Sequence, residues 1–388
     1  MSVFKNKITW VAGLSIFSMF FGAGNVVFPL TLGTFSGDKI LFATAGLMLS
    51  SICGPLLGLI AVLLFDGNCK QFFNRVGKIT GPLLMLLALC LLGPFAVMPR
   101  CYLVAYEALI SFFPNLTLLK FSIITSLLVI ISIAKREWLF KVLGYILSPT
   151  LIFILSVIIY QGVISDGELV NNTITISTAF KEGLLVGYDT MDLMAALFFG
   201  APIGILIKKE LNHSVNKNSS FTISIAASLL GGSLLGAIYL GLSWVSAKQI
   251  SLLEGIPSQS ILTQLSKSLL GAPWYYISNF AIALACITTV MSLTVMITEL
   301  IKQNKNFNVK LERFKFNYQI QIIILMIITI IFTNLGFEKL MSIIHPLIKF
   351  FYPSIIVITV CNILYKLFGF KYIKVPFWMT VFLTFYLS

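Results

Sequence analysis

Charged side chains are scarce in this 388-residue chain: they make up 11% of it, against about 25% in soluble domains. Apolar residues make up 58%, and the mean hydropathy is +0.97. No polar stretch is long enough to fold as a separate soluble domain. The apolar runs are long and continuous, as membrane-spanning helices require, and they lack the short alternating segments of a membrane β-barrel. The composition therefore predicts an all-α polytopic membrane protein.

Residues that build metal centres and enzyme active sites are also few. The six cysteines show no CxxC spacing, and the two histidines, His213 and His345, lack the spacing of metal ligands. The chain has no Walker A loop, no HExxH motif and no GxSxG nucleophile motif. We therefore predict no resident cofactor, no ATP-driven step and no enzymatic activity, and we interpret the cysteines as free thiols.

Basic residues outnumber acidic ones by 27 to 14, which gives a net charge of +13. They cluster in short loops between the apolar runs, where Lys and Arg mark the cytoplasmic side of a membrane. This excess predicts a cytoplasmic N-terminus, a chain surrounded by lipid and no nucleic-acid partner. No small-residue cleavage site follows the first apolar run, so we do not interpret that run as a signal peptide.

Eleven apolar runs are predicted to form membrane helices. They cover residues 8–34, 40–65, 80–109, 117–134, 138–164, 174–207, 219–245, 273–300, 318–334, 338–365 and 375–388. The last run has 14 residues (375–388), which is fewer than the roughly 20 that a span needs.

The first run is interrupted by the sequence FFGAGN at 20–25. Glycine and asparagine there predict a break between two half-helices, the first ending near Phe21 and the second starting near Asn25. The free N–H groups of the second half suit a carboxylate, and the free carbonyls of the first suit an ammonium group or Na⁺. The alternative is a glycine-rich surface for close helix packing.

The sixth run is interrupted by GYDTMD at 187–192. Ionisable side chains inside a membrane are costly and usually functional, so Asp189 and Asp192 are candidates to face a substrate ammonium, bind a cation or carry a proton. The alternative for Asp192 is an N-terminal cap on the second half-helix. Tyr188 is a candidate gate or apolar wall.

The two interrupted runs lie five helices apart and are predicted to be antiparallel. This arrangement is typical of a transporter built from two inverted five-helix repeats. We therefore predict one transmembrane domain over 1–388, with repeats at 1–164 and 174–365 and a partial terminal helix at 375–388.

Two further groups of residues are candidates for function. In the eighth run Ala285, Thr288 and Thr289 share one face, which suits a hard monovalent cation, although the hydroxyls can instead bond back to their own helix. In the third run Arg100 and Glu107 lie two turns apart and are a candidate gate pair, with each other or with neighbours. The alternatives are a structural ion pair or a snorkelling arginine.

The tenth run also carries polar residues, His345 and Lys349, next to Pro346 and Pro353. We interpret these as a packed kink with a snorkelling lysine.

Four stretches, in this order, resemble the bacterial branched-chain amino acid:cation symporter family. They are FFGAGNVVFPLTLG at 20–33, LGPFAVMPR at 92–100, GYDTMDLMAALFFG at 187–200 and ACITTVMSLT at 285–294. The resemblance implies a leucine-transporter-like five-plus-five inverted repeat that imports leucine, isoleucine and valine with Na⁺. Members usually have two full helices after the ten-helix core, whereas this chain ends part-way through the eleventh.

The resemblance also implies where the ligands bind. The substrate zwitterion would lie on Phe21, Gly22, Ala23, Gly24 and Asn25, opposite Gly187, Tyr188, Asp189 and Thr190. Sodium would lie between carbonyls near Ser18 and Phe21 and the face formed by Ala285, Thr288 and Thr289. The sequence leaves open a proton-coupled symporter that uses Asp189 or Asp192, an amino-acid exchanger, and a sensor that binds without transporting. A monomer is the default expectation.

Overall fold

The computed structural model describes residues 7–133, 148–200, 217–303 and 318–387. Within these ranges every regular element is helical. Parts of the predicted fourth, fifth and sixth runs lie outside them, as do His213 and the basic residues of three loops that entered the orientation prediction.

Nine helices make up the described part of the first half. They are α1 (Lys7–Phe20), α2 (Ala23–Ser36), α3 (Ile40–Met48), α4 (Gly54–Leu64), α5 (Cys69–Asn74), α6 (Thr80–Cys90), α7 (Val97–Ile110), α8 (Leu118–Ile133) and α9 (Ser148–Ile164). Two π-helical turns, Leu49–Cys53 and Leu91–Phe95, join α3 to α4 and α6 to α7. The predicted second and third runs are therefore each one bent span.

The described part of the second half also contains nine helices. They are α10 (Ile176–Asp189), α11 (Asp192–Gly200), α12 (Lys217–Lys248), α13 (Ile250–Leu253), α14 (Ile261–Leu270), α15 (Trp274–Gln303), α16 (Tyr318–Thr333), α17 (Phe337–Phe368) and α18 (Lys374–Leu387). The sequence predicted no helix at α13 or α14. α14 has only 10 residues and is apolar on one face, with Ile261, Leu262 and Leu265 buried, so it gives no hydropathy signal of a span.

Among the described residues, five helices are long and apolar enough to cross a membrane, and six are if the bent pair α10–α11 is one span. The first of the five runs from Ala23 to Leu64 through a turn at Gly37, where φ is +51°, so it contains parts of two predicted runs. Shorter apolar helices account for the rest of the first predicted run, at α1, and for three more runs, at α8, α9 and α16. The helices therefore follow the predicted order of apolar runs.

Close packing at glycines brings α10 against α3 and the π-helical turn that follows it. A Cβ atom added at Gly183 would clash with the Ala43 carbonyl, and one at Gly46 would clash with the Phe180 carbonyl. Small residues of this kind let helix backbones approach one another inside a membrane. This packing fixes the first half of the interrupted sixth run against the second span.

The end of α2 is also bonded to the loop that precedes α10. The Asn172 N–H donates to Asp38 Oδ1 at 3.0 Å, and the Asn172 side chain donates to the Phe35 carbonyl at 2.6 Å. Asp38 also bonds to Lys39, and chiefly this contact lowers the pKa of Asp38 from its usual value. The two interrupted runs are thus tied together away from their breaks.

Candidate functional site

The first break lies between α1 and α2. α1 ends at Phe20, and α2 begins at Ala23 after Gly22 takes an extended conformation (φ −122°, ψ −170°). The Gly22 N–H bonds to Asn25 Oδ1 at 2.9 Å, whereas in a continuous helix it would bond to the Ser18 carbonyl. The predicted interruption is confirmed, and it frees carbonyls at the end of α1 and N–H groups at the start of α2.

The second break lies at Thr190 and Met191, between α10 and α11. The two half-helices meet at a bend of 42°. Met191 has φ +60°, a left-handed conformation that costs a residue with a side chain roughly 1–2 kcal/mol. Since α10 continues to Asp189, the interruption falls in the later part of the predicted 187–192 segment.

The two breaks lie directly against each other. A Cβ atom added at Gly24 would lie 3.5 Å from the Thr190 Cα. Across this contact the Asn25 side-chain amide donates to Asp192 Oδ2 at 2.7 Å. The Tyr239 hydroxyl, from α12, donates to the same oxygen at 3.1 Å and also bonds to Asn25. Asn25 and Asp192 are each 2% exposed and Tyr239 is 0% exposed, so this polar cluster joins α2, α11 and α12 inside the protein.

The cluster gives the Asp192 carboxylate partners beyond its own helix. Its carboxylate bonds to residues of two other helices, so it is more than a local cap on α11. The sequence did not identify Tyr239, because one tyrosine in a long apolar helix gives no signal of its own.

The carboxylate of Asp189 also has a partner from a distant helix. His345 Nδ1, on α17, lies 2.8 Å from Asp189 Oδ2 and 2.9 Å from Oδ1. His345, which the sequence placed in a packed kink, thus also has a polar partner that the sequence did not predict. Asp189 is 4% exposed and is engaged by the protein itself, so it does not present a free carboxylate to a substrate ammonium in this conformation.

α17 contacts the second break at another point, two turns beyond His345. The ring of Tyr352 stacks on Tyr188 with ring centroids 4.6 Å apart. The Tyr352 hydroxyl accepts a hydrogen bond from the Leu193 N–H at 3.3 Å. One face of α17 therefore holds α10 and α11 on both sides of their break, and Tyr188 is part of that contact.

Arg100 is fully buried, with 1% of its surface exposed. Its Nη1 donates to the backbone carbonyl of Asp189 at 2.6 Å, and its guanidinium carbon lies 5.2 Å from the centre of the Phe28 ring. Within the described ranges no ion pair joins Arg100 to Glu107, so this candidate pair does not form here. Arg100 instead places a cation at the negative end of the α10 dipole.

Gly187 does not lie at the break. A Cβ atom added there would clash with the Ser50 hydroxyl, so this glycine packs α10 against the second span. Close helix packing was the alternative explanation for the glycines of the first break. It is instead the explanation for Gly187, in the second interrupted run. The Thr190 hydroxyl donates to the Gly187 carbonyl at 2.9 Å and helps to close the end of α10.

The threonines of α15 lie beside the first break. A Cβ atom added at Gly22 would lie 3.6 Å from the Thr289 methyl carbon. The Thr289 hydroxyl donates to the Ala285 carbonyl at 2.9 Å, and the Thr288 hydroxyl donates to the Leu284 and Ala285 carbonyls at 2.8 and 2.9 Å. Both hydroxyls bond back to their helix, and their oxygens keep lone pairs that can face a cation.

Over residues 5–388 the chain matches the model of a family described as "Branched-chain amino acid transport protein". It is 29% identical over 365 residues to the branched-chain amino acid permease BrnQ of Corynebacterium glutamicum. The alignment covers 93% of this chain and 82% of that protein.

Two solved structures show the same fold at low identity. The manganese transporter of Eremococcus coleocola aligns with a TM-score of 0.56 at 15% identity, over 100% of this chain and 86% of that one. A transporter of the nucleobase-cation-symport-1 family aligns with a TM-score of 0.57 at 11% identity, over 97% of this chain and 91% of that one. The fold is thus the five-plus-five inverted repeat with discontinuous first and sixth helices.

Proposed function

Since the chain belongs to the branched-chain amino acid transport protein family, we propose that it imports leucine, isoleucine and valine in symport with Na⁺. The protein is a transporter rather than an enzyme. The observation that carries the proposal is the first break. It is buried, faces the second break, and has helix ends that Asn25 closes only in part.

The substrate binds on the first break in this proposal. Its carboxylate lies at the N-terminus of α2, where N–H groups and the positive end of the helix dipole favour an anion. Its ammonium group lies near the carbonyls at the end of α1. The contact segment is Phe21, Gly22, Ala23, Gly24 and Asn25, with Thr190 across the gap. Gly187 and Asp189 drop out of the direct contacts because they are engaged elsewhere.

The proposed sodium ion lies between α1 and α15. Its ligands are the carbonyls of Ser18 and Phe21 together with oxygens of Ala285, Thr288 and Thr289. The support is the release of the Ser18 carbonyl from its helical partner and the contact of Thr289 with Gly22. Hard cations prefer oxygen ligands of this kind, and broken helices in related architectures hold Na⁺ with unwound carbonyls.

Transport follows by alternating access, in which one group of helices rocks against the rest around the central site. The Na⁺ gradient and the membrane potential drive the cycle, and the potential contributes about 2.3 kcal/mol per charge per 100 mV. In this cycle the contacts of α17 with the second break must change. His345 bonds to one side of that break, at Asp189, and Tyr352 bonds to the other, at Leu193. We propose a cytoplasmic N-terminus and a monomer in the bacterial cytoplasmic membrane.

Proton coupling is the second candidate, and a specific pair of residues favours it. Asp189 and His345 form a close contact, and carboxylate–histidine pairs inside a membrane are typical of proton relays. Proton coupling predicts that an Asp189→Asn variant loses pH-driven uptake and that uptake ignores Na⁺.

The test is uptake of radiolabelled leucine by purified protein in liposomes. We expect uptake with an inward Na⁺ gradient, none when K⁺ replaces Na⁺, and inhibition by excess isoleucine or valine. Uptake that follows a pH gradient and is unchanged by the K⁺ replacement would reject Na⁺ coupling in favour of the proton. Uptake only into vesicles preloaded with amino acid would indicate an exchanger.

A further inference from the structure

One donor atom of Arg100 has no partner within the protein. Nη1 bonds to the Asp189 carbonyl, but Nε is buried and makes no hydrogen bond to any residue that the structure describes. A buried donor on a charged group is costly to leave unpaired. The bond to the end of α10 therefore satisfies Nη1, but it gives no reason for burying the Nε–H group without an acceptor.

The two nearest acidic side chains attract Arg100 electrostatically, but each carboxylate is bonded to another residue. The Asp189 carboxylate bonds to His345, and the Asp192 carboxylate bonds to Asn25 and Tyr239. Neither forms an ion pair with the guanidinium within the described ranges. A buried cation without a paired anion is unfavourable, so this position favours an anionic group brought by a ligand.

The guanidinium lies beside the first turn of α2. Its carbon is 5.2 Å from the centre of the Phe28 ring, and a Cβ atom added at Gly24 would lie 3.2 Å from the same ring. The next residue of α7, Cys101, lies against the backbone amide of Ala23. Arg100 therefore borders the helix end whose N–H groups favour an anion.

We propose that Arg100 is a substrate-binding residue whose Nε–H donates to the carboxylate of the transported amino acid. The carboxylate then lies between the N-terminus of α2 and the guanidinium, and it supplies the missing hydrogen-bond acceptor and an anion in direct contact with Arg100. This inference rests on the proposed function, amino-acid transport. It adds a specificity: the site requires a carboxylate, so leucine is bound and its neutral-ended analogue leucinamide is disfavoured.

The chain makes a direct test practical because it contains only four arginines, Arg75, Arg100, Arg136 and Arg313. The protein is prepared with ¹⁵N-arginine, and the four Nε–H signals are recorded by NMR in lipid nanodiscs. Lysine substitutions at the other three positions assign the Arg100 signal without altering it. Arg75 is an internal control, because it bonds to Asn362 near the end of α17 and to the Phe370 carbonyl just beyond that helix, far from the break.

Leucine binding is measured on the same samples with radiolabelled leucine. We expect saturating leucine with Na⁺ to shift the Arg100 Nε–H signal by more than its linewidth and to leave the Arg75 signal in place. Leucinamide, at a concentration that displaces the labelled leucine, offers only a neutral carbonyl oxygen as acceptor and is expected to shift the Arg100 signal less than half as far.

Arg100→Gln gives an independent readout. We expect its leucine affinity to fall about tenfold or more, the loss of one hydrogen bond to a charged group, with leucinamide affinity changed less than about threefold. Leucine binding without a shift of the Arg100 signal, or equal shifts by both ligands, would overturn the inference and leave the transport function standing. Wild-type protein that binds none of leucine, isoleucine and valine would overturn the proposed function instead, and the inference with it.

Discussion

The first break, between Phe20 and Ala23, and the second, between Asp189 and Asp192, interrupt two helices in the same way but are closed differently. At the first, the side chain of Asn25 takes up one N–H, and the helix ends otherwise face the contact between the breaks. At the second, the Arg100 guanidinium takes the last carbonyl of α10, and the Asp192 carboxylate bonds across to α2 and α12.

The difference indicates a division of labour within one fold. A break whose helix ends already bond to side chains of the protein, as the Asp189 carbonyl does to Arg100 and the Leu193 N–H does to Tyr352, has few free groups left for a zwitterion. The break with free ends can take the substrate, while the closed break positions it and carries the contacts with α17. Four substitutions test this division, beginning with the one expected to do most damage.

Asp192→Ala removes the acceptor of two hydrogen bonds, from Asn25 and Tyr239. Each such bond to a charged group contributes about 1.5–3 kcal/mol, so we expect a loss of roughly 3 kcal/mol or more in unfolding free energy and no uptake. Denaturant unfolding in detergent measures it. Asp166→Ala, in an exposed loop, is the control and is expected to change stability by under about 0.5 kcal/mol. Equal effects of the two substitutions would contradict the polar cluster.

Gly187→Ala places a methyl group on Ser50. Overpacking of this kind costs about 1–3 kcal/mol, and we expect lower thermal stability that Ser50→Gly partly restores. Gly54→Ala, at the start of α4 where an added Cβ meets no atom within 4 Å, is the matched control. A stable Gly187→Ala protein with impaired leucine binding would instead return Gly187 to the substrate site.

Gly22→Ala tests the first break, and here the expected effect is on leucine binding rather than on stability. The added methyl group has an ordinary contact with Thr289, at 3.6 Å, and the extended backbone accepts alanine, so stability is expected to change by less than about 1 kcal/mol. Leucine affinity is expected to fall about tenfold, since the methyl group fills space at the free helix ends. The affinity is measured by direct binding of labelled leucine to the variant. An unchanged affinity would place the substrate elsewhere.

Thr289→Val has the smallest expected effect. It removes one oxygen from the proposed sodium site and keeps the side-chain shape, so the Na⁺ concentration for half-maximal uptake is expected to rise about fivefold, the equivalent of roughly 1 kcal/mol. Thr294→Val is the control, because Thr294 on the same helix also bonds back to its own helix, to the Val290 carbonyl. Similar Na⁺ requirements in both variants would argue against Thr289 as a ligand.

Sequence analysis was most successful where a residue violated the rules for its surroundings. Glycines and Asn25 in an apolar run predicted the first break to within two residues. The second was displaced because Met191, which takes the left-handed conformation, gives no signal, while Gly187 gives a misleading one. A glycine in a membrane helix indicates either a break or close packing, and only the neighbour, here Ser50, distinguishes them.

The partners of the buried charges could not be predicted from the sequence. Asp189 meets His345 and Asp192 meets Asn25 across helices that are far apart in the chain, and Asp192 also meets Tyr239 on the following helix. Glu107 was the partner of Arg100 suggested by helix spacing, but the actual partner is a backbone carbonyl. Helical spacing orders residues within one helix and says nothing about which helix packs opposite.

Hydrogen–deuterium exchange at the two breaks, followed by mass spectrometry with and without leucine and Na⁺, tests the division between them most directly. Peptides that cover residues 17–28 and 186–197 are compared in the same protein. The account predicts that ligand slows exchange at least about tenfold at the first break, where free N–H groups gain a partner, and changes the already bonded second break much less. Slowing confined to 186–197, in protein that binds leucine, would contradict it.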